Sequence, residues 1–265
     1  MMLEIFIIQE GSSLLLLRHS FTKKKYEING NLFSGLISAL SMFTSELEIG
    51  SIKHFQTGEL RVLITTYENI IFVGLVDDDP HSDFIETSLK KIREDFHKEF
   101  SEEMLNWNGR ISIFERFTKN IDEIVYAEFS KYFVEKDFPK NVIKVVRKFQ
   151  SKFEPKYLKF IGKETGIARA ETQSSFKSLQ KQIRKELSLF SINKVSSESD
   201  KDLQIDIPMC PICRGIKDSE FSCIFLEGFI EGYIEKSLSL DSIQIKETKC
   251  IAHGDELCRF IANLN

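Results

Sequence analysis

With 265 residues, the chain is long for one small domain and comfortable for two of ordinary size. Apolar residues make up 42%, with 23 Phe, enough for real cores. Lys+Arg number 36 against 40 Asp+Glu, and a net charge of −4 gives no global argument for nucleic acid or an anionic membrane. No run of about 20 apolar residues marks a transmembrane helix, so membrane contact is expected to be peripheral at most.

The N-terminus, MMLEIFIIQEGSS, has neither a basic segment nor a long apolar core. It reads as a strand and not as a signal peptide, which points to a cytoplasmic protein. Residues 2–9 have strand length, Gly11-Ser12-Ser13 reads as a tight turn, and residues 14–21 complete a hairpin. An amphipathic helix follows Gly30. Leu32, Leu36 and Leu40 stand four apart with Phe33, Ile37 and Phe43 beside them. Strands are expected at 49–57, 60–67 and 70–76, the last fully apolar. Asp77-Asp78-Asp79-Pro80 stops it as strand termination and not as a cation site, and Ser82 or Asp83 caps a helix over 83–105. Residues 101–150 read as helices broken near Asn108-Gly109 and Phe138-Pro139, with another break at Pro155.

Residues 156–167 carry Gly162 and Gly166, four apart. Residues 174–189 form an amphipathic helix with Phe176, Leu179, Ile183 and Leu187 on one face. Strands are expected at 190–196 and 203–209, a helix at 219–237, and strands at 242–247 and 257–263. The helix SCIFLEGFIEGYIE carries Gly228 and Gly232, which share a face and let another backbone approach closely. Glu227, Glu231 and Glu235 exclude a membrane dimer. Scattered His19, His54, His81 and His97 have no metal or catalytic spacing, and no phosphate loop, nucleophile elbow or helix-turn-helix is present.

All five cysteines, Cys210, Cys213, Cys223, Cys250 and Cys258, lie in the last quarter. An odd, clustered set favours metal or redox chemistry over a disulfide framework. In C-I-A-H-G-D-E-L-C the turn at Gly254-Asp255 lets a strand pair fold Cys250 and Cys258 onto one point. Glu247, three residues earlier, joins them if the strand bulges. With Cys223 these are four donors for zinc. The turn CPIC offers a rival: Cys210 and Cys213 with Cys250 and Cys258 as a Cys₄ site. It also allows a redox-active pair, or an inert one. His253, in the turn, is read as exposed.

The string CIFLEGFIEGYIE…IKETKCIAHGDELCRFI resembles the C-terminal signature of the 4-vinyl-reductase domain, over about residues 152–265. That fold is related to haem–nitric-oxide sensors and to one subunit class of the TRAPP tethering complex. The resemblance implies a Cys₃Glu zinc site at Cys223, Glu247, Cys250 and Cys258, closed to substrate. It also implies a small apolar pocket for a hydrophobic ligand, which Phe225, Phe229 and Tyr233 would line. The order β-β-α-β-β-β-α over residues 2–100 resembles longin and roadblock-like domains, small sheets with helices on one side that serve in membrane traffic and GTPase regulation. The expectation is an α+β protein: a longin-like domain at 1–105, a helical connector at 106–151 and a zinc-binding domain at 152–265. The pairing implies a non-enzymatic assembly or tethering protein, as an archaeal relative of TRAPP-type trafficking machinery would be. Its implied partners are itself, in a homodimer, and a small GTPase. The alternative is a sensor of a hydrophobic ligand or of redox state. A tetrapyrrole-reducing enzyme rests on the family name alone.

Overall fold

The computed structural model describes residues 2–23, 27–48, 50–58, 60–77, 83–135, 140–150, 153–173, 175–191, 193–197 and 202–264. The chain divides into two compact units, Met1–Glu128 and Phe129–Asn265. Their composition is α+β, with two antiparallel sheets and seven α-helices among the described residues.

The first unit contains β1 (Met2–Gln9), β2 (Leu14–Ser20), α1 (Gly30–Glu46), β3 (His54–Thr57), β4 (Leu60–Tyr67), β5 (Ile70–Asp77) and α2 (Asp83–Leu105). The strands form one sheet in the order β2-β1-β5-β4-β3, antiparallel throughout. The apolar runs of β1 and β5 pair at the centre, where both faces are covered, so each buries seven of eight residues. Phe6, Ile8, Ile71, Val73 and Leu75 pack on one face with Ile37 and Phe33 of α1. On the other face Phe72 meets Phe96 of α2 at 5.6 Å, and Gly74 makes room for Leu89. Helices thus cover both faces of the sheet and not one, because two central strands that are apolar on both sides need two covers.

α1 turns only part of its apolar pattern to the sheet, with Phe33 and Ile37 packed there. It buries Ser34, Ile37, Ser38 and Thr44, whereas Leu32, Leu36, Phe43 and Leu47 face outward. Small residues let the helix sit close on a sheet already filled by its own Phe, Ile and Val side chains. Ser34 donates to the carbonyl of Ser13 at 2.8 Å, and Asn29 caps the helix through the amides of Asn31 and Leu32.

The expected break at Asn108-Gly109 holds. α2 ends at Leu105, Gly109 has φ +87°, and a 3-10 turn follows at Ile111–Phe117. Phe96, Phe100, Phe114 and Phe117 form a buried cluster with centroids 4.8–5.8 Å apart. α3 (Thr118–Glu135) carries the boundary between the units. Its Asp122 accepts from Tyr126 at 2.8 Å and pairs with His19 Nε2 at 2.6 Å. Residues 78–82, with most of the Asp run and Ser82, lie outside the described residues, as does Phe138-Pro139.

The second unit contains α4 (Lys140–Gln150), α5 (Pro155–Arg169), α6 (Phe176–Ser188), β6 (Lys194–Ser196), β7 (Asp202–Ile207), α7 (Ile224–Leu238), β8 (Gln244–Lys249) and β9 (Cys258–Asn263). Its sheet runs β6-β7-β9-β8, again antiparallel. Pro155 opens α5 at its first turn. α5 and α7 cross in backbone contact. A Cβ added at Gly162 would lie 2.2 Å from the carbonyl oxygen of Phe225. The corresponding distances are 2.1 Å for Gly166 to Phe229, 2.0 Å for Gly228 to Lys159 and 2.1 Å for Gly232 to Lys163. The four glycines are therefore the contact itself, and only glycine fits.

Beside that seam Lys159 pairs with Glu227 and Glu231 at 2.9 and 3.0 Å, and Lys163 with Glu231 and Glu235 at 3.0 and 2.8 Å. Burial draws both ammonium groups down, and their glutamate hydrogen bonds outweigh it and hold them above the ordinary lysine range. Phe225, Phe229 and Tyr233, expected around an apolar pocket, are packed core. Phe229 has Phe190 at 5.4 Å and Tyr233 at 6.1 Å.

Candidate metal centre

Four segments of the second unit deliver their cysteines to one place. β7 runs into the CPIC turn, where Cys210 accepts from the amide of Arg214 at 3.1 Å and Cys213 from that of Ile216 at 3.0 Å. Cys223 stands at the N-cap of α7. Cys250 follows β8 and enters a 3-10 turn, Ile251–His253, that closes at Gly254 with φ +100°. Asp255 locks this turn by accepting from the Cys250 amide at 2.8 Å. Cys258 then opens β9. The expected strand–turn–strand is thus present, with a register shift between Glu247 and Lys249 where the strand was expected to bulge.

All five thiols are free and fully buried. Cys213 is their hub, its Sγ lying 2.7 Å from Cys223, 3.4 Å from Cys250 and 3.5 Å from Cys258. Cys210 reaches Cys223 at 3.4 Å. The Ile251 amide donates to the Cys258 sulfur at 3.5 Å. Glu247 lies beside them. Its Oε2 accepts from the Cys223 amide at 2.8 Å and the Ser222 hydroxyl at 3.1 Å, satisfying a free donor at the start of α7. Its Oε1 is buried with no hydrogen-bond partner among the described residues. Burial pushes its carboxyl up to about 8, against the Cys223 amide, which favours the charged form.

The electrostatics follow from crowding. Hydrogen bonds from Cys213 hold Cys210 and Cys250 low, and burial pushes Cys223 up. Thiolates this close repel one another unless a cation lies among them.

Two four-residue groups have ligand atoms all within 4.8 Å of one another: Cys210, Cys213, Cys223 and Cys258, and Cys213, Glu247, Cys250 and Cys258. Either can hold a metal ion. The expected quartet of Cys223, Glu247, Cys250 and Cys258 is divided between them, and so is the rival set of Cys210 and Cys213 with Cys250 and Cys258. Cys213 and Cys258 belong to both groups. Sequence reasoning placed Cys213 only in a rival set, and the C-x-x-C spacing was its one signal. It missed the part Glu247 takes in capping α7. His253 contacts the Phe221 carbonyl through Nε2 and is exposed, as its turn position suggests.

No protein-family model matches the chain, and no curated protein matches it. Solved structures do. A vinyl-4-reductase family protein from Methanocaldococcus jannaschii is 14% identical, with a TM-score of 0.33, over 56% of this chain and 94% of its own. A trafficking protein particle complex subunit 3 from Naegleria fowleri, covalently bound to palmitic acid, is 15% identical, with a TM-score of 0.35, over 56% of this chain and 96% of its own. The likeness to both is weak at these scores. No helix among the described residues is long and apolar enough to cross a membrane.

Proposed function

We propose that the cysteine cluster is a structural zinc site held by Cys213, Glu247, Cys250 and Cys258, and that the chain is a non-enzymatic assembly protein. The observation that carries the site is the buried, unpartnered Oε1 of Glu247 within reach of three buried sulfurs. A buried carboxylate oxygen without a donor is a destabilising group unless a cation meets it. Thiolates with one carboxylate suit zinc, and tetrahedral zinc at the usual bond length sets sulfurs about 3.8 Å apart, close to the separations here. Four protein donors leave no position for substrate or water, so the metal's work is to join the CPIC turn to β8 and β9.

The all-thiolate group of Cys210, Cys213, Cys223 and Cys258 is the rival set. In the first set Cys223 supports the site through its amide, and Cys210 lies outside it, 3.4 Å from the Cys223 sulfur.

The assembly reading rests on the resemblance of the chain's two parts to longin-like and TRAPP-type domains. Its partners would be a second copy and a small GTPase, in the cytoplasm. Elemental analysis joined to native mass spectrometry tests the metal, with one zinc per chain expected. Cobalt substitution then counts thiolates by their charge-transfer absorption, three for the first set and four for the rival. A metal-free native protein sinks the zinc reading. Pull-down against small GTPases tests the partner.

A further inference from the structure

We infer that the outward face of α1 is a self-association surface, on which a second copy of this chain packs helix to helix. The inference takes up the assembly reading and names a surface for it. It rests on the first unit alone, so loss of the zinc reading leaves it standing.

Leu32, Leu36, Phe43 and Leu47 are 74%, 52%, 58% and 52% exposed. At 3.6 residues per turn they fall within about 60° of one another around the helix axis. Single exposed leucines are ordinary on a protein surface, but four large apolar side chains in one stripe are not. The stripe is longer than a chance patch, since 17 residues of helix run for about 25 Å.

Shape and charge both favour a second copy as the occupant. Directly beside the stripe, on one flank, lie Ala39 and Gly35, then Met42. A Cβ on Gly35 would meet nothing within 4 Å, so the flank is an open notch. A ridge of Leu36 and Phe43 beside a notch of Gly35 and Ala39 is self-complementary. Two copies related by a two-fold axis set each ridge into the other's notch. Between Gly30 and Ser45 the helix carries no charged residue, and Glu46 is its only one, in a chain that is 29% charged. A charged partner finds nothing to pair with there. An identical copy meets no repulsion and leaves no ion unpaired. A membrane is the other candidate for an apolar helix face. A helix that inserts at a lipid surface normally brings lysines or arginines of its own, and α1 has none. One helix pair of this length buries less than a standard interface, under about 1,200 Å² in total. The dimer is therefore concentration-dependent.

The test is sedimentation velocity on the full chain from about 1 to about 200 µM, beside Leu36→Glu and Phe43→Glu, with circular dichroism as a folding control. Both side chains point away from the core, so the variants fold. The wild type is expected to pass from monomer to dimer, and each glutamate to weaken the dimer roughly thirty-fold or more. An independent arm places a thiol in the notch beside the stripe with Ala39→Cys, the five native thiols being buried. Copper-phenanthroline oxidation is expected to give a covalent dimer, whereas Lys98→Cys on α2 gives none. A wild type that stays monomeric throughout overturns the inference. So does a dimer that Leu36→Glu and Phe43→Glu leave intact. Because Lys23, Lys24 and Lys25 precede α1 in the sequence, flotation with phosphatidylcholine–phosphatidylserine vesicles is run alongside. Binding that Leu36→Glu abolishes would assign the face to lipid and overturn the self-association.

Discussion

Gly162→Ala puts the α5–α7 crossing to its most direct test. The added methyl would stand 2.2 Å from the Phe225 carbonyl oxygen and 3.0 Å from the Phe229 amide nitrogen. Both are partner backbone, so no side chain can swing aside. Ordinary contact requires the helices to part by more than about 1 Å. That motion opens the matching contacts at Gly166, Gly228 and Gly232 and stretches the Lys159 and Lys163 ion pairs. Overpacking of this kind costs about 3 kcal/mol or somewhat more when backbone must move. Alanine's better helix propensity returns about 1 kcal/mol. The net loss is about 2–3 kcal/mol, which lowers the melting temperature of the second unit by roughly 5–10 °C. Thermal and urea unfolding followed by far-UV circular dichroism measures it. Gly11→Ala serves as control, since a Cβ there meets nothing within 4 Å and should leave stability within about 0.5 kcal/mol. A Gly162→Ala protein as stable as the wild type, or more stable, would refute the close-contact account.

Glu247→Gln should lower zinc retention under chelator challenge by tenfold or more while Cys210→Ser leaves it nearly unchanged. The reverse order, read by a colorimetric zinc-release assay, would favour the all-thiolate set. The five buried thiols should react with Ellman's reagent slowly in the native protein and far faster once a chelator has been added, and fast reaction from the outset would contradict the metal reading. Lys163→Met leaves Glu231 and Glu235 short of a partner, and after discounting for the lysine's partial exposure it should destabilise by about 1–2 kcal/mol at pH 7. Because the folded ammonium is held above its unfolded value, that contribution is whole below about pH 10 and fades as pH rises through the folded pKa, so the variant and wild type should converge in alkaline urea titrations. Asp206 runs the other way. Arg259 holds its carboxyl below the ordinary range through a hydrogen-bonded pair at 2.7 and 2.9 Å. Its contribution is present above about pH 4 and lost as pH falls through the folded value, so Asp206→Asn should lower the melting temperature at pH 7 and by progressively less as the pH is taken down through the acid range.

Much of the fold is legible in local pattern. Continuous apolar runs named β1 and β5, Gly109 marked the end of α2, and Pro155 stands where a new helix begins, because these depend on side-chain period and on backbone limits that travel with the residue. The G-x-x-x-G of Gly228 and Gly232 announced a close backbone approach without saying to what, and the same spacing at Gly162 and Gly166 is its partner. That they meet each other is a tertiary fact, and so is the lysine–glutamate ladder beside them, since the paired residues stand 68 or 72 positions apart. The cysteine string foretold a cluster and its strand–turn–strand frame. Which thiol becomes the hub, and that Glu247 turns one oxygen to the α7 amide and leaves the other bare, depends on loops meeting in space. α1 shows the limit most clearly. Its period identified a helix with an apolar stripe, but period cannot say which stripe faces inward. The sheet beneath is already filled by its own Phe, Ile and Val side chains, so the smaller face packs and the larger is left for another molecule.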